Sequence, residues 1–273
     1  MNKKINSLFN LKEDNATVKG EIIAGFTSFF AIVYIIAVNS SILSDAGLPL
    51  EGAIVATVLS SFVGCLIVAF IGNAPIIMVP GMGVNALFSY TIAGSMGLSW
   101  QQALAAVFIS GIVFSIVAFT KLATILTESI PTSLKEAITV GIGLFITFIG
   151  LQKSGIIINS PKTFVALGHL NEPQVYVTFI NLVITLVLFI MEVPGNFLIS
   201  MIGGTVIAYF FGLVDISQLA FSGFSLSSYK QVFLAMDFSN IASLSFWIAV
   251  FSLTLVLVFE NLGLLHGHIN VML

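Results

Sequence analysis

The chain predicts an all-α polytopic membrane protein, and three observations predict it. Of its 273 residues, 58% are hydrophobic and 8% are charged, with a mean hydropathy of +1.12. Those values belong to a chain dissolved in lipid, not to a large water-soluble core. No charged residue lies between Glu51 and Lys121, a stretch with room for about three bilayer crossings. The third observation is a broken crossing. Asn73 to Ala93, NAPIIMVPGMGVNALFSYTIA, carries no charge yet holds Pro75, Pro80, Gly81 and Gly83.

Composition also excludes. All nine basic residues are lysines, so a bidentate guanidinium clamp for an anion is missing. With a net charge of −3 and no basic face, nucleic acid is not a partner; the lipid bilayer is. The single cysteine, Cys65, rules out an intrachain disulfide and reads as a small core residue. The three histidines, His169, His266 and His268, are too scattered from Cys65 for a metal site and read as solvated or interfacial. No cofactor and no nucleophile–base constellation is expected, so an enzyme is not.

The elements follow in order. Residues 1–20 are a polar tail with four lysines. Span one, Ile22–Ser44, is uncharged and as a helix would be about 35 Å long, enough for one crossing. After the DAGLPLE loop come span two (Gly52–Ile71), the broken span three, and span four (Gln101–Phe119). Each proline in span three removes a donor and clashes with the preceding turn, and each pushes the residue before it toward extended geometry. A short extended piece is therefore expected at Ile76–Val79, then a half-helix over Asn85–Ala93. Residues 120–136 lead into span five (Leu134–Leu151), with Ser133 and Glu136 spaced as a capping box. A polar connector over 152–173 precedes span six (Gln174–Met191), and the turn EVPGN leads to span seven (Phe197–Val214). A Ser- and Phe-rich connector, with room for a short interfacial helix, leads to span eight (Ile241–Leu265).

Lysine placement sets orientation. A cytoplasmic N-terminus puts Lys3, Lys4, Lys12, Lys19, Lys121 and Lys135 inside, against Lys153, Lys162 and Lys230 outside, as the positive-inside rule favours. Seven spans return the chain on the far side, so an eighth opens a second set of inverted orientation. That is the geometry of inverted-repeat transporters, whose broken spans meet at the midplane. Here it rests on the count alone.

Two polar groups stand out. Glu260, in FSLTLVLVFENLGLLHG, is the one acid deep in an apolar span, and an intramembrane acid marks a functional site by default. Gly263 and Gly267 share its helical face and would let another backbone approach. A neutral carboxyl donates a hydrogen bond and an ionised one accepts, so this residue can bind a heterocycle and exchange a proton. The plainer alternative is an acid that snorkels to the boundary or fills a packing defect. Asn85 follows the Gly81–Gly83 turn. It either caps the half-helix or stands where the half-helix N-terminus points at an electron-rich ligand.

Gly81-Met82-Gly83-Val84-Asn85-Ala86 fits the dinucleotide fingerprint G-x-G-x-x-A, but lacks the strand before it and the acid about twenty residues on. Phe29, Phe30 and Tyr34 can stack on a planar ligand, with packing as the default reading.

PGMGVNALFSYTIAG resembles the Pro-Gly-Met-Gly-Leu-Asn-Ala motif of the guanine/hypoxanthine (adenine-type) permease family within the nucleobase transporter superfamily. GFTSFFAIVYIIAVNSSIL is similar to that family's first helix. GIGLFITFIGLQKSGII with TFVALGHL is similar to its fifth span and connector, and VFENLGLLHG to its eighth-span motif, where the family more often has Asp. The resemblance covers essentially the whole chain. It implies a cell-membrane, proton-coupled purine permease of fourteen spans in two inverted sevens. By it, residues 1–20 are a cytoplasmic tail, 21–119 the core-domain spans one to four, and 120–214 the gate-domain spans five to seven. Residues 215–240 are then an extracytoplasmic connector and 241–273 span eight with its tail. Glu260 would hydrogen-bond the purine and couple the proton, and Met82, Gly83, Val84 and Asn85 would flank the purine. The full-length form admits a homodimer. The family's tenth-span substrate motif is missing, so a truncated product is expected, and Asn261-Leu262-Gly263-Leu264 leaves the preferred purine open. The alternatives are a uracil, xanthine or other solute transporter of the same architecture, or a non-transporting truncated membrane polypeptide.

Overall fold

Helix ends in this chain fall where capping chemistry allows them. The computed structural model describes residues 9, 17–121, 125, 131–161, 163–214 and 226–272, with the backbone alone at 132, 135–136, 138–139, 142, 226–228 and 262–272. The first apolar stretch holds α1 (Val18–Ile32), capped by Thr17 accepting from Gly20 N–H at 3.1 Å, and α2 (Tyr34–Asp45). Next, α3 (Leu50–Ile67) runs on through a π-helical turn, Val68–Gly72. It stops at Asn73, whose φ of 45° is left-handed, a conformation Asn tolerates. Residues 74–81 are not helical. Then α4 (Met82–Ala86) passes into a π-helical segment, Leu87–Ser95.

The second half begins with α5 (Trp100–Ala118). Its capping box has Ser99 Oγ accepting from Gln102 N–H at 3.2 Å and Gln102 Oε1 from Ser99 N–H at 3.1 Å. After it come α6 (Thr132–Lys153), β1 (Ile157–Ser160), β2 (Phe164–Leu167), α7 (Pro173–Ile190), α8 (Asn196–Phe210), α9 (Leu226–Val232) and α10 (Leu244–Met272). Among the described residues five stretches are long and apolar enough to cross a membrane: Val18–Asp45, Leu50–Gly72, Trp100–Ala118, Pro173–Ile190 and Leu244–Asn261. Large apolar side chains stand exposed along them, Ile71 at 82% and Phe119 just beyond α5 at 94%, as they do where lipid is the solvent. The chain is a mostly helical, multi-pass membrane protein.

Several expectations are corrected. The half-helix starts at Met82, three residues before Asn85, because Gly81 takes the N-cap position with φ −69° and ψ 116°. Pro80 lies outside the helix, and nothing after it resists helical geometry. Asn85 is therefore inside the helix and does not cap it. The connector over 152–173 is not merely polar loop: β1 and β2 pair antiparallel, Ile157 opposite Leu167 and Ser160 opposite Phe164. The chain is thus not strictly all-α. Ser133 does not begin α6, which has already started behind Pro131, a residue suited to a first turn. Span seven ends at Phe210 and not at Val214, because Gly212, at φ 71°, closes the helix with Leu213 N–H on Ala208 O at 2.9 Å. Lys3, Lys4, Lys12 and Lys162 lie outside the described residues, as do the side chains of Lys135, Glu136, His266 and His268.

Two compact units form. One gathers the described residues of Met1–Val38, Thr57–Pro80 and Leu151–Phe224. Within it α7 packs on α8 along a polar seam. Thr185 Oγ1 lies 2.9 Å from Ser200 Oγ, and the Asn181 amide fills the space over Gly204. Tyr34 packs at a tilt against Phe197 with ring centroids 5.4 Å apart, and Phe29 packs edge-on against Phe30. Cys65 is half-buried and does more than fill core. Its Sγ lies 3.3 Å from Met78 N and 3.5 Å from Met78 O, which ties the irregular stretch to α3. The other unit gathers Asn39–Ala56, Gly81–Gly150 and the described residues from Leu226 onward. Its core sets Ala103, Ala106 and Ser110 of α5 against Phe246, Val250 and Leu253 of α10, with Phe88 and Ile92 of the π-helical segment in the same cluster. Ser110 Oγ reaches Val250 O at 3.1 Å.

Candidate functional site at the break of the third span

The second unit carries both polar groups singled out in the sequence. Pro80 ends the irregular stretch, Gly81 turns the chain, and α4 begins with Met82. Asn85 N–H on Gly81 O, at 3.2 Å, closes the first turn. The N–H groups ahead of it point out of the helix end without an intrahelical acceptor. Gly83 is buried, while Met82, Val84 and Asn85 are half-buried.

Glu260 comes to this turn from α10. It is half-buried, and its carboxylate lies against the Cα of Gly81: a β-carbon there would stand 2.8 Å from Glu260 Oε1 and 3.3 Å from both Cδ and Oε2. The close approach expected at Gly263 and Gly267 lies outside the described residues; a glycine of another element, Gly81, does come close to the carboxylate. The acid thus sits against protein at the start of α4, the residue immediately ahead of Met82 being its neighbour. The adjacent Asn261 turns back on its own helix, donating from Nδ2 to Leu257 O at 2.7 Å.

Asn85 points elsewhere. Its Nδ2 donates to Oδ1 of Asn39 on α2 in a short hydrogen bond, and Asn39 is only 1% exposed. One turn on, Ser89 is buried and its hydroxyl has no partner among the described residues. Tyr90 OH donates to Asp45 Oδ2 at 2.6 Å, joining the π-helical segment to the end of α2. A half-buried acid beside a free helix end can recognise a small planar heterocycle with donors and acceptors on its edge.

Asn39, Gly81 and Ser89 were missed in the sequence. Asn39 is an amide in an uncharged span, a signal as good as that of Asn85. Ser89 lies four residues beyond Asn85 on the same face. Gly81 was read as a helix breaker, and only the neighbouring carboxylate reveals its other role. His169 is exposed in the connector, and no cluster of metal-binding side chains occurs among the described residues.

Comparison with known proteins gives the family of the chain. Residues 19–272 match the Permease family. The chain is 49% identical over 251 residues to the nucleobase transporter PlAzg2 of Paenibacillus larvae, covering 92% of this chain and 50% of that protein. It is 40% identical over 267 residues to the guanine/hypoxanthine permease PbuO of Bacillus subtilis, covering 95% of this chain and 61% of the relative. It is 31% identical over 260 residues to the adenine permease AdeP of Escherichia coli, covering 95% and 58%. The chain therefore spans between half and three-fifths of the length of these curated relatives, which are named as transporters and not as enzymes. The family match runs from the first turn of α1 to the end of α10, and the chain belongs to the Permease family.

Proposed function

We propose that this chain is the N-terminal part of a proton-coupled permease for purine nucleobases. The carrying observation is the Glu260 carboxylate lodged against Gly81, where the third span restarts as a helix. Relatives named for guanine, hypoxanthine and adenine support the substrate class. In this reading Glu260 hydrogen-bonds an edge of the purine, and the backbone of Met82, Gly83, Val84 and Asn85 flanks it. Spans one to four and eight belong to a core domain that moves against a gate of spans five to seven. The remaining spans complete a seven-plus-seven inverted repeat in the cell membrane, with the N-terminus cytoplasmic and a homodimer as the assembly. One carboxyl group that can hold or release a proton beside the ligand supplies the coupling.

Uptake of labelled hypoxanthine, guanine and adenine by cells lacking their own purine carriers tests this, using the protein as its gene encodes it. Uptake should rise when the outside is acidified and collapse with a protonophore. Glu260→Gln should abolish it. Competition by uracil or an inorganic anion, but by no purine, would overturn the substrate class.

A further inference from the structure

The glycine at position 81 is not there for its backbone. Its φ of −69° and ψ of 116° lie in the extended region open to every residue, so alanine fits without torsional strain and would order the unfolded chain. Room is what the site takes from it. A β-carbon would stand 2.8 Å from Glu260 Oε1 and 3.3 Å from Cδ and Oε2, its three nearest neighbours. A carboxylate is the far end of a flexible side chain, so it would yield while backbone and core stay in place. The damage from a methyl group at 81 thus falls first on the position of the Glu260 carboxylate.

We propose that Gly81 is a positioning residue for Glu260: its bare Cα is the seat that holds the carboxylate over the start of α4. The proposal rests on the reading of Glu260 as a purine-binding group and adds the feature that sets where that group stands. Small displacements matter in such sites, because a hydrogen bond weakens steeply once distance or angle departs from its range.

The test is a double-mutant cycle on purine uptake. Gly81→Ala should raise KM at least fivefold, leaving maximal uptake and the thermal unfolding of the detergent-purified protein near wild type. Aspartate is one methylene shorter than glutamate and draws the carboxyl group back from position 81. In the Glu260→Asp background, adding Gly81→Ala should therefore raise KM less than twofold. A KM change below fivefold in Gly81→Ala alone overturns the proposal, as does an equal penalty in both backgrounds. If Gly81→Ala folds poorly, recovery of its thermal unfolding in the Glu260→Asp background supports the proposal, and equally poor folding there overturns it. Normal uptake by Glu260→Gln would instead remove the underlying functional reading. Loss in Glu260→Gln with unchanged Gly81→Ala would remove only the role of Gly81.

Discussion

Asn39 and Asn85 show what one residue can decide inside a bilayer. Each amide has polar atoms that lipid cannot satisfy, and they face each other across α2 and α4. Removing one takes a hydrogen-bond partner from the other, at about 1–3 kcal/mol. Asn39→Ala and Asn85→Ala should therefore each lower thermal stability in detergent, while the double variant loses less than the sum, with a coupling of roughly 0.5–3 kcal/mol. Strict additivity would mean the two amides act separately. Outside the membrane, Asp237 is held below the usual carboxylate range by the Ser239 N–H, at 2.8 Å, and by the Ser239 hydroxyl. A depressed folded value contributes stability above the unfolded pKa and loses it as pH falls through the folded one. Asp237→Asn should lower the unfolding temperature at neutral pH, and that difference should vanish towards the acid end of the profile.

At the scale of elements, two contacts set helix ends and helix distances. The Ser99–Gln102 box starts α5, so Ser99→Ala should cost about 1 kcal/mol, measured by thermal unfolding. Gly204 lets α8 approach α7 so closely that a β-carbon would lie 2.6 Å from Asn181 Cγ. Gly204→Ala should thus destabilise by about 1–3 kcal/mol through overpacking, and unchanged unfolding would show that the seam yields freely. Much of this level was legible beforehand. Span limits followed from where charge stops and starts, and the break from Pro75, Pro80 and Gly81. Weighing two glycines as breakers sets the start of α4 too late, although Gly83 sits inside the helix. The β1–β2 hairpin has little sequence signal, because Ile157–Ser160 and Phe164–Leu167 are short, half-exposed or exposed runs beside polar residues, which in a membrane chain read as linker.

For the whole molecule, sequence showed the class and the two poles of the candidate site, Glu260 and the third-span break, though they lie far apart in the chain. It could not show that Gly81 would be the point of contact, nor that Asn39 would claim Asn85. Both depend on how separate elements pack, which no local pattern encodes. The family match and the contact between α10 and the start of α4 make one consistent account. On the proposed function, Glu260 binds the solute where the third span breaks. Equilibrium binding of labelled hypoxanthine to the purified, gene-encoded protein, wild type against Glu260→Gln, tests that most directly. A charged hydrogen-bonding partner worth about 1.5–3 kcal/mol predicts a Kd weakened roughly 10- to 100-fold; an unchanged Kd would contradict it.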